Sequence, residues 1–402
     1  MKDLPTKTWC PQILTGISLQ SDGLAPCCEF NSPRIKANTI QDYKQSATYK
    51  KLLQNMQDGE WHPGCIRCKE REANGQRSQR LKEVKNQAAL LNMHDVESID
   101  FQKFYDVHNN DQYLWVNLQP SNKCNQACVM CWTGSSSKLE EEVRENPNTH
   151  WLKMIPTFHQ YNDISDLASH RHPKGRIYLS GGEPSIMKDV IKYLDSIPNP
   201  EEVQIDFNSN FQSWNPKFWE ILSRFKRLYI MASIDAVGEA AEYHRYLSNW
   251  NIVESNVLQV KDMLPQAHLK ISPTWTMLNI WKLGDLASWC EKHELNSSIA
   301  NVALNKHFSI TQIHGDYKQK LKDIFDKSYF ARDESIKGQF NSLHSTVDAS
   351  SFSKTNFEAL CSYVENIDMI RGTDYKKVFP ELYDYICDVK TKLTYDEKSA
   401  II

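Results

Sequence analysis

Cys124, Cys128 and Cys131 form a C-x3-C-x2-C loop directly after a predicted strand, Tyr113–Leu118. Three thiolates on one short loop can hold three corners of a 4Fe–4S cluster, because cysteine is the usual ligand of its irons. The fourth iron then keeps an open coordination position, where a substrate or cofactor binds. Three buried or zinc-binding cysteines are the alternative, but zinc usually takes paired C-x2-C units that supply four ligands. The spacing therefore favours a cluster with one open iron.

Five further cysteines lie upstream of this loop: Cys10, Cys27, Cys28, Cys65 and Cys68. The segment that begins Asp22-Gly23 predicts a hairpin turn, which would present the adjacent thiols of the Cys27-Cys28 pair. Four ligands from five candidates would close a structural site. A C-x2-C unit with dispersed partners suits zinc and a second 4Fe–4S cluster equally, so spacing alone leaves both possible.

The three-cysteine loop resembles the signature of the radical S-adenosylmethionine (SAM) superfamily, at the expected place after the first strand. The resemblance implies that the open iron binds SAM and that an electron passed into its sulfonium cleaves it. The products are methionine and a 5′-deoxyadenosyl radical, which abstracts hydrogen from a substrate. Such chemistry belongs to the cofactor, while the protein supplies position and excludes water.

The segment Leu179–Pro184 is similar to the Gly-Gly-Glu-Pro motif of the same family, which contacts the amino group of the SAM methionine. By this resemblance Gly181, Gly182 and Glu183 take that role. Paired glycines allow the backbone to approach a ligand closely. The motif stands about 50 residues beyond the cysteine loop, after a second predicted strand, which is the order of a repeated βα fold.

Four later residues also match the family's SAM contacts. Asn210 corresponds to the Asn of a Thr-Asn-Gly motif, although its follower here is Phe211. Ser233 and Asp235 belong to a Ser-Ile-Asp segment whose Ser lies near the ribose. Arg245 matches an arginine that commonly reaches the SAM carboxylate. An alternative interpretation, given equal weight, is that Arg245 is a solvent-exposed charge on a helix.

The upstream cysteines resemble a twitch/SPASM-type auxiliary-cluster module, here placed before the barrel. The residues that carry this resemblance are Cys65, Cys68, Glu72, Gly75, Ser78 and Arg80. It implies a second, auxiliary 4Fe–4S cluster held by Cys10, Cys28, Cys65 and Cys68, with Cys27 as the alternative to Cys28. A structural zinc remains the other reading of these ligands.

Six βα units must position these residues. The predicted strands are Tyr113–Leu118, Arg176–Ser180, Val203–Phe207, Leu228–Ile234, His268–Trp275 and Ala300–Ala303. Amphipathic helices are predicted between them, and such alternation indicates a parallel sheet. We predict an α/β fold, a partial (β/α)6 barrel, although periodicity alone does not separate it from a doubly wound sheet. The motifs fall at the carboxyl ends of strands, where such folds place their sites.

Three domains follow from the pattern: a twitch-like module at 1–105, the barrel at 106–310 and a helical C-terminal segment at 311–402. Within the last of these, helices are predicted at 316–330 and 376–393, and the Ser-rich stretch Ser342–Lys354 is predicted as a loop. Asn366–Gly372 also resembles segments of the twitch-bearing group, without an assigned role.

Composition excludes several classes of partner. The net charge of −3 does not indicate a surface that binds nucleic acid. The sequence contains no run of about 18 apolar residues, so no membrane-spanning helix is predicted. The first ten residues lack the apolar region of a signal peptide, so we expect a cytoplasmic protein. The 11 cysteines would then be reduced, and their clustering favours metal or cluster ligands over disulfides.

The sequence thus predicts a radical SAM enzyme of oxidoreductase type that abstracts hydrogen from a peptide or protein. A radical dehydrogenase or epimerase of a carbohydrate or small alcohol is the alternative within enzymes. A non-catalytic zinc-binding interaction protein is the alternative from another class. The enzyme would need an electron donor such as flavodoxin or ferredoxin.

Overall fold

The computed structural model describes residues 4–20, 22–73, 77–95, 97–153, 164–303 and 305–399. Within these ranges the strands are β1 Gly16–Gln20, β2 Gly23–Ala25, β3 Tyr113–Leu118, β4 Ala127–Cys128, β5 Arg171–Leu179, β6 Gln204–Ser209, β7 Arg227–Ala232, β8 Arg245–Tyr246, β9 His268–Ile271 and β10 Asn296–Ser297.

The helices of the same ranges are α1 Pro11–Thr15, α2 Ile40–Gln45, α3 Ala47–Gln57, α4 Ile66–Ala73, α5 Gln79–Leu90, α6 Gln102–Asn109, α7 Ser137–Glu145, α8 Ile164–Ser169, α9 Lys188–Asp195, α10 Pro216–Ser223, α11 Gly238–His244, α12 Trp250–Met263, α13 Leu283–Lys292, α14 Lys318–Lys327, α15 Lys337–Asp348, α16 Lys354–Arg371, α17 Tyr375–Val378 and α18 Pro380–Ser399.

The chain divides into two compact units. The first comprises Met1–Lys123, Pro156–Asn208 and Asn215–Tyr229, and the second comprises Cys124–Ile155, Ser209–Trp214 and Ile230–Ile402. Strands β6 and β7 each begin in the first unit and end in the second.

The first unit is built on parallel strands. β3 pairs in parallel with β1 on one side and β5 on the other, and β5 pairs in parallel with β6. Every residue of β3 is buried, as expected for a strand covered on both faces. The sequence predicts β3 with the same bounds. Helix α10 begins at Pro216, and the side chain of Asn215 accepts a hydrogen bond from the Phe218 N–H as its N-cap.

The N-terminal part of this unit contains the predicted hairpin. β1 and β2 pair antiparallel with Gln20 opposite Gly23, whose φ of +133° suits a glycine. The core beside it includes Trp9, Cys10 and Phe104, all buried. Trp9 packs edge-on against Phe104, with 5.2 Å between the ring centroids. One of the five upstream cysteines therefore belongs to the packed core of its unit.

The second unit combines short strands with most of the C-terminal helices. β9 and β10 pair in parallel, and Trp275 forms a further parallel bridge with Val302. Tyr385 of α18 is fully buried and contacts Trp281 and Tyr317, at centroid distances of 5.8 and 4.8 Å. An aromatic core therefore holds the C-terminal helices.

The fold class predicted from the sequence is confirmed: the chain is α/β, with a mostly parallel central sheet and flanking helices, consistent with a partial barrel. The loop prediction for 342–354 is wrong for its first part, because α15 continues to Asp348. Phe340, Leu343 and Val347 are buried along this helix, and their spacing supplies the apolar face that the serines conceal in composition.

Candidate functional site

The three-cysteine loop lies in the second unit and is held as a short strand. β4 pairs antiparallel with β8, which places Cys128 opposite Arg245. The Val129 N–H donates to the His244 carbonyl at 3.0 Å and continues this attachment. Cys128 is buried, while Cys124 and Cys131 are half-buried. All three predicted ligands are thus on one loop whose centre is fixed by β8.

Two of the residues predicted to contact SAM lie against these sulfurs. Nη1 of Arg245 donates to Sγ of Cys128 at 3.7 Å, and Nδ2 of Asn210 donates to Sγ of Cys124 at 3.8 Å. The Asn210 amide also donates to the side-chain oxygen of Asn125 at 2.7 Å. Hydrogen-bond donors aimed at cysteine sulfurs are a means by which proteins tune iron–sulfur clusters.

The thiols of the loop need a positive partner to ionise. Burial raises the pKa of Cys131 to about 12, and the neighbouring Cys128 adds to the rise. Burial likewise raises the pKa of Cys128, against the nearby Arg245 guanidinium. A bound metal reverses this preference, because a coordinating thiol is deprotonated outright. The donor set therefore fits a cationic cluster.

Asp235 is fully buried and supports Arg245 from behind. Its carboxylate accepts hydrogen bonds from Nδ1 of His244 at 2.9 Å and from the Thr274 N–H at 2.7 Å, and it lies 2.7 Å from Nε of Arg245. Burial alone would raise the pKa of Asp235, but Arg245 and His244 outweigh it and hold that pKa at about 2. The contacts of Asp235 are those of a residue that positions Arg245.

The segment around Asn210 has an unusual backbone. Phe211 takes a φ of +56°, in the left-handed region that favours glycine. The related motif has glycine at this position, so the backbone keeps the conformation although the residue differs. The fully buried Phe211 ring and the 2.7 Å hydrogen bond from Asn256 to its carbonyl oppose the strain. Ser233, which is half-buried, donates its N–H to the Ser209 carbonyl at 2.8 Å.

Gly181, Gly182 and Glu183 belong to the first unit, directly after β5. A Cβ on Gly182 would lie 2.0 Å from the carbonyl oxygen of Lys123, and one on Gly181 would lie 2.1 Å from Cγ of Gln119. The Glu183 N–H donates to the same Lys123 carbonyl at 2.8 Å. Lys123 immediately precedes Cys124 in the chain. The paired glycines thus allow the backbone of this segment to approach Lys123 and Gln119 closely.

The Glu183 carboxylate is buried, with 1% of the residue exposed, and its Oε1 accepts the Ser185 N–H at 3.2 Å. It therefore caps the short helical turn Pro184–Ile186.

Four of the five upstream cysteines line one cavity of the first unit: Cys10, Cys27, Cys65 and Cys68. Burial raises the pKa of Cys65 to about 12, and Cys68 adds to the rise. Burial also raises the pKa of Cys27, and the other thiols contribute. Since each thiolate disfavours its neighbours, the four together suit a positively charged body between them.

Cys28 does not line this cavity. The sequence analysis names Cys28 as the fourth cluster ligand and Cys27 as the alternative, so the structure differs from that preference. The pKa of Cys28 is raised to about 11 by burial and then by the carboxylate of Glu29, not by the other cysteines. The turn that follows β2 directs the two adjacent side chains differently, and sequence spacing does not distinguish neighbours in such a turn. The structure places the weighed alternative, Cys27, with the other three thiols.

The other residues of the auxiliary-module resemblance form a bracket around Cys10. Both carboxylate oxygens of Glu72 accept from Arg80, at 2.8 and 2.6 Å, and Ser78 also donates to this carboxylate. Nη1 of Arg80 donates to the Trp9 carbonyl, one residue before Cys10, at 2.7 Å. Gly75 lies outside the described residues.

Across the ranges that the structure describes, no three Cys, His, Asp or Glu side chains converge as the ligands of a single metal ion. A cubane keeps its thiolates farther apart than one ion does, because the iron–sulfur body lies between them. None of the helices in these ranges combines the length and apolar character of a membrane span.

Two residues of α16 that carry no motif signal also contact the cysteine loop. Tyr363 donates to the Val129 carbonyl and Arg371 donates to the Ala127 carbonyl, at 3.0 and 2.7 Å. Arg371 falls in the C-terminal segment whose resemblance carries no assigned role, and that segment is the only sequence signal for it.

Comparison with known proteins finds one matching family model and several partial matches. Residues 118–282 match the family model of the radical SAM superfamily. The chain is 29% identical over 131 residues to the molybdenum cofactor biosynthesis protein moc-5 of Caenorhabditis elegans, a match that covers 31% of this chain and 20% of that protein. It is 25% identical over 166 residues to the radical SAM cyclopropyl synthase TigE of Paramaledivibacter caminithermalis, covering 40% of this chain and 34% of that protein.

Among solved structures, anSMEcpe with bound AdoMet matches with a TM-score of 0.41 and 16% identity, over 56% of this chain and 62% of that chain. Streptococcus suis SuiB bound to the precursor peptide SuiA matches with a TM-score of 0.36 and 13% identity, over 67% of this chain and 60% of that chain. The chain thus spans about a fifth and a third of the two curated relatives, and under two thirds of these solved chains.

Proposed function

We propose that this protein is a radical SAM enzyme of oxidoreductase type that uses a 4Fe–4S cluster on Cys124, Cys128 and Cys131. The cluster, when bound, supplies the electron that cleaves SAM reductively, and the resulting 5′-deoxyadenosyl radical abstracts hydrogen from a substrate. One observation carries the proposal: Arg245 and Asn210, two residues of the SAM-contact motifs, donate hydrogen bonds to sulfurs of the cysteine loop. The family model matched by residues 118–282 supports it.

The residues of this chain supply binding and position. Arg245 is held by Asp235 and carries a positive charge suited to the SAM carboxylate. The motifs assign four further residues to SAM: Gly181, Gly182, Glu183 and Ser233. Cys124 and Cys131 are half-buried and leave access for a small cofactor, while the buried Cys128 limits contact with water.

A second 4Fe–4S cluster completes the proposal, held by Cys10, Cys27, Cys65 and Cys68. Its support is the shared cavity of these four thiols and the bracket of Glu72 and Arg80 around Cys10. Residues 1–105 would then form the auxiliary module, 106–310 the barrel and 311–402 the helical segment. A closed set of four cysteines has the ligand count of a complete cluster.

For the substrate we propose a peptide or protein, modified in the cytoplasm with electrons from a flavodoxin or ferredoxin. Auxiliary modules of this type commonly accompany peptide-modifying members of the family. The curated relative TigE, described as a radical SAM cyclopropyl synthase, matches 40% of this chain and agrees with a radical reaction.

The test is anaerobic reconstitution with iron and sulfide, followed by dithionite and SAM. We expect about eight irons per chain, little zinc and formation of 5′-deoxyadenosine. Cys128→Ala should abolish 5′-deoxyadenosine while about four irons remain. Cys290→Ala is the matched control, since Cys290 is a buried cysteine of α13 away from both sets, and it should keep the wild-type iron. Zinc without iron, or loaded protein that yields no 5′-deoxyadenosine, would contradict the proposal.

A further inference from the structure

Helix α16 reaches the cysteine loop with two side chains of the second unit. The hydroxyl of Tyr363 donates to the carbonyl of Val129 at 3.0 Å, one residue after Cys128. Nη2 of Arg371 donates to the carbonyl of Ala127 at 2.7 Å, one residue before Cys128. The backbone is therefore tied on both sides of the central cysteine.

Arg371 is unusually buried for a cation, with 1% of its side chain exposed. Its guanidinium donates to both carboxylate oxygens of Glu142 on α7, at 2.8 and 3.0 Å, and lies 4.5 Å from the ring centroid of Tyr246 on β8. Glu142 in turn contacts His150 at 2.9 Å. Removing one partner of a buried ion pair is strongly destabilising, so the contact between Arg371 and Glu142 should be maintained in the folded protein.

The same guanidinium acts electrostatically on the loop. Nη2 of Arg371 lies 2.7 Å from the carbonyl oxygen of Ala127, so a buried positive charge stands one residue from Cys128. Nη1 of Arg371 is buried and has no hydrogen-bond partner among the residues that the structure describes. Glu142 balances the charge of Arg371, but the guanidinium is the member of the pair that contacts the loop backbone, at the Ala127 carbonyl.

The arrangement has a counterpart in the first unit. Arg80 also pairs with a glutamate through two hydrogen bonds, donates to the carbonyl that precedes a cysteine, and lies over an aromatic ring, Trp61, at 5.1 Å. The carbonyl distance is 2.7 Å in both cases. Arg80 belongs to a cysteine-module motif, and Arg371 repeats its contacts at the other set of cysteines.

We propose that Arg371 and Tyr363 are positioning residues for the cluster on Cys124, Cys128 and Cys131: they fix the loop backbone around Cys128, and Arg371 places a buried positive charge near it. Helix α16 is then a part of the cluster site. This inference rests on the proposed function for its redox part only, because the backbone contacts exist without a cluster.

The consequence for the cluster is a higher reduction potential. Reduction adds negative charge, and a nearby buried cation stabilises the reduced form more than the oxidised one. Arg371→Gln removes the charge and should shift the midpoint potential to a more negative value. Arg371→Lys keeps the charge but cannot reproduce the two-pronged contact, so its potential should stay closer to that of the wild type.

The experiment uses reconstituted full-length protein and two measurements. Redox titration followed by electron paramagnetic resonance gives the midpoint potential, and the signal that changes on addition of SAM identifies the relevant cluster. Hydrogen exchange reports the Val129 and Cys131 amides, which are bonded to His244 and Cys128 carbonyls in the folded loop. Exchange at these amides should be faster in Arg371→Gln and Tyr363→Phe.

Arg332→Gln is the matched control. Arg332 also follows the barrel, pairs with a glutamate, Glu291, and lies over a tyrosine ring, but its side chain is 68% exposed. It should match the wild type in both measurements.

The inference would be overturned if Arg371→Gln folds, takes up iron, and shows the same midpoint potential and the same amide exchange rates as Arg332→Gln. If Arg371→Gln does not fold, Arg371→Lys and Tyr363→Phe decide: wild-type exchange at the loop in both variants contradicts it, and faster exchange in either supports it. If the wild-type protein takes up no iron, the proposed function is wrong. The comparison of amide exchange rates would still test whether Arg371 and Tyr363 fix the loop backbone around Cys128.

Discussion

Gly182 illustrates how little space some functional positions leave at the scale of a residue. A Cβ there would lie 2.0 Å from the Lys123 carbonyl oxygen and 2.6 Å from Cε of Met187. The backbone must move to admit it, so we expect Gly182→Ala to lower the free energy of unfolding by about 1–3 kcal/mol. SAM binding should weaken as well. Urea unfolding and calorimetric titration of the loaded protein with SAM measure the two effects.

Gly284→Ala is the comparison for this variant, because an added Cβ in α13 meets no atom within 4 Å. Alanine is the better helix former, so its stability should equal or exceed that of the wild type by up to about 1 kcal/mol. Equal behaviour of the two variants would show that the close approach of Gly182 to Lys123 is not maintained in solution.

Asp235 should give the protein a distinctive acid response. Its pKa of about 2 in the folded state is below the ordinary 3.8, because Arg245 and His244 outweigh the effect of burial. The ionised carboxylate thus stabilises the fold at pH values above about 4, by roughly 2 kcal/mol, and this contribution is lost as the pH falls toward 2. Asp235→Asn should be less stable than the wild type at pH 7 by about 3 kcal/mol, and the gap should narrow from pH 5 downward.

Urea unfolding at a series of pH values tests the prediction for Asp235. Asp323→Asn serves as the reference, since Asp323 is exposed on α14 and its loss should cost little at any pH. A gap between Asp235→Asn and the wild type that stays constant down to pH 3 would contradict the assignment.

Sequence reasoning located several site residues but not the division of labour among them. Asn210 and Arg245 lie against the cysteine sulfurs, whereas their motifs predict contacts with SAM, which stay a prediction. Asp235 carries a matching motif, yet its oxygens are occupied by Arg245, His244 and a backbone amide. A motif identifies which residue types are present, whereas the direction of a side chain is decided by the packing around it.

At the scale of the element, helix α16 depends on the residue that ends it. Gly372 ends it with a φ of +66°, immediately after Arg371, and a Cβ there would meet no atom within 4 Å. Gly372→Ala should therefore lower the unfolding free energy by about 1 kcal/mol through backbone conformation alone. Thermal or urea unfolding measures the change.

The control for this helix end is Gly338→Ala, since Gly338 lies within α15, where an added Cβ also finds open space. It should be neutral or stabilising. If Gly372→Ala were equally neutral, the left-handed end of α16 would not exist as described.

Strand prediction succeeded where the apolar run was clear and was wrong at Ala300–Ala303, where Val302 forms only an isolated bridge and the strand β10 is Asn296–Ser297. β3 has the same bounds in the prediction and in the structure, because a buried apolar run between polar segments has few alternatives. In α15, serine content hid a helix whose stability comes from three buried side chains, Phe340, Leu343 and Val347. Tertiary packing of an apolar face outweighs weak local propensity.

At the scale of the whole molecule, the two cysteine sets are expected to load iron separately. Cys27→Ala should reduce the iron content from about eight to about four per chain, whereas Cys28→Ala should leave it unchanged. The reason is that Cys27 lines the cavity with the other three thiols and Cys28 does not. Iron and sulfide analysis after reconstitution distinguishes the variants, and the reverse result would restore Cys28 as the ligand.

The α/β class and the positions of the two cysteine sets were accessible from sequence because they depend on local pattern and spacing. The contacts of Arg371 and Tyr363 were not, because they join residues separated by 244 and 234 positions in the chain. The domain boundaries at 105 and 310 stay a prediction.

These separations also set an order in which the protein can be completed during synthesis. The bracket on Cys10 closes over 71 residues, from Arg80 back to Trp9, so it can form early in translation. The hydrogen bond from Arg371 to the Ala127 carbonyl, beside Cys128, cannot form until Arg371 has been synthesised, 244 residues after Ala127. At a ribosome that makes about 5–20 residues per second, the loop of Cys128 stays without this contact for roughly 10–50 seconds after it emerges. Under the proposed function, iron delivered during synthesis would meet the N-terminal cysteine pocket well before the contacts of Arg371 have formed.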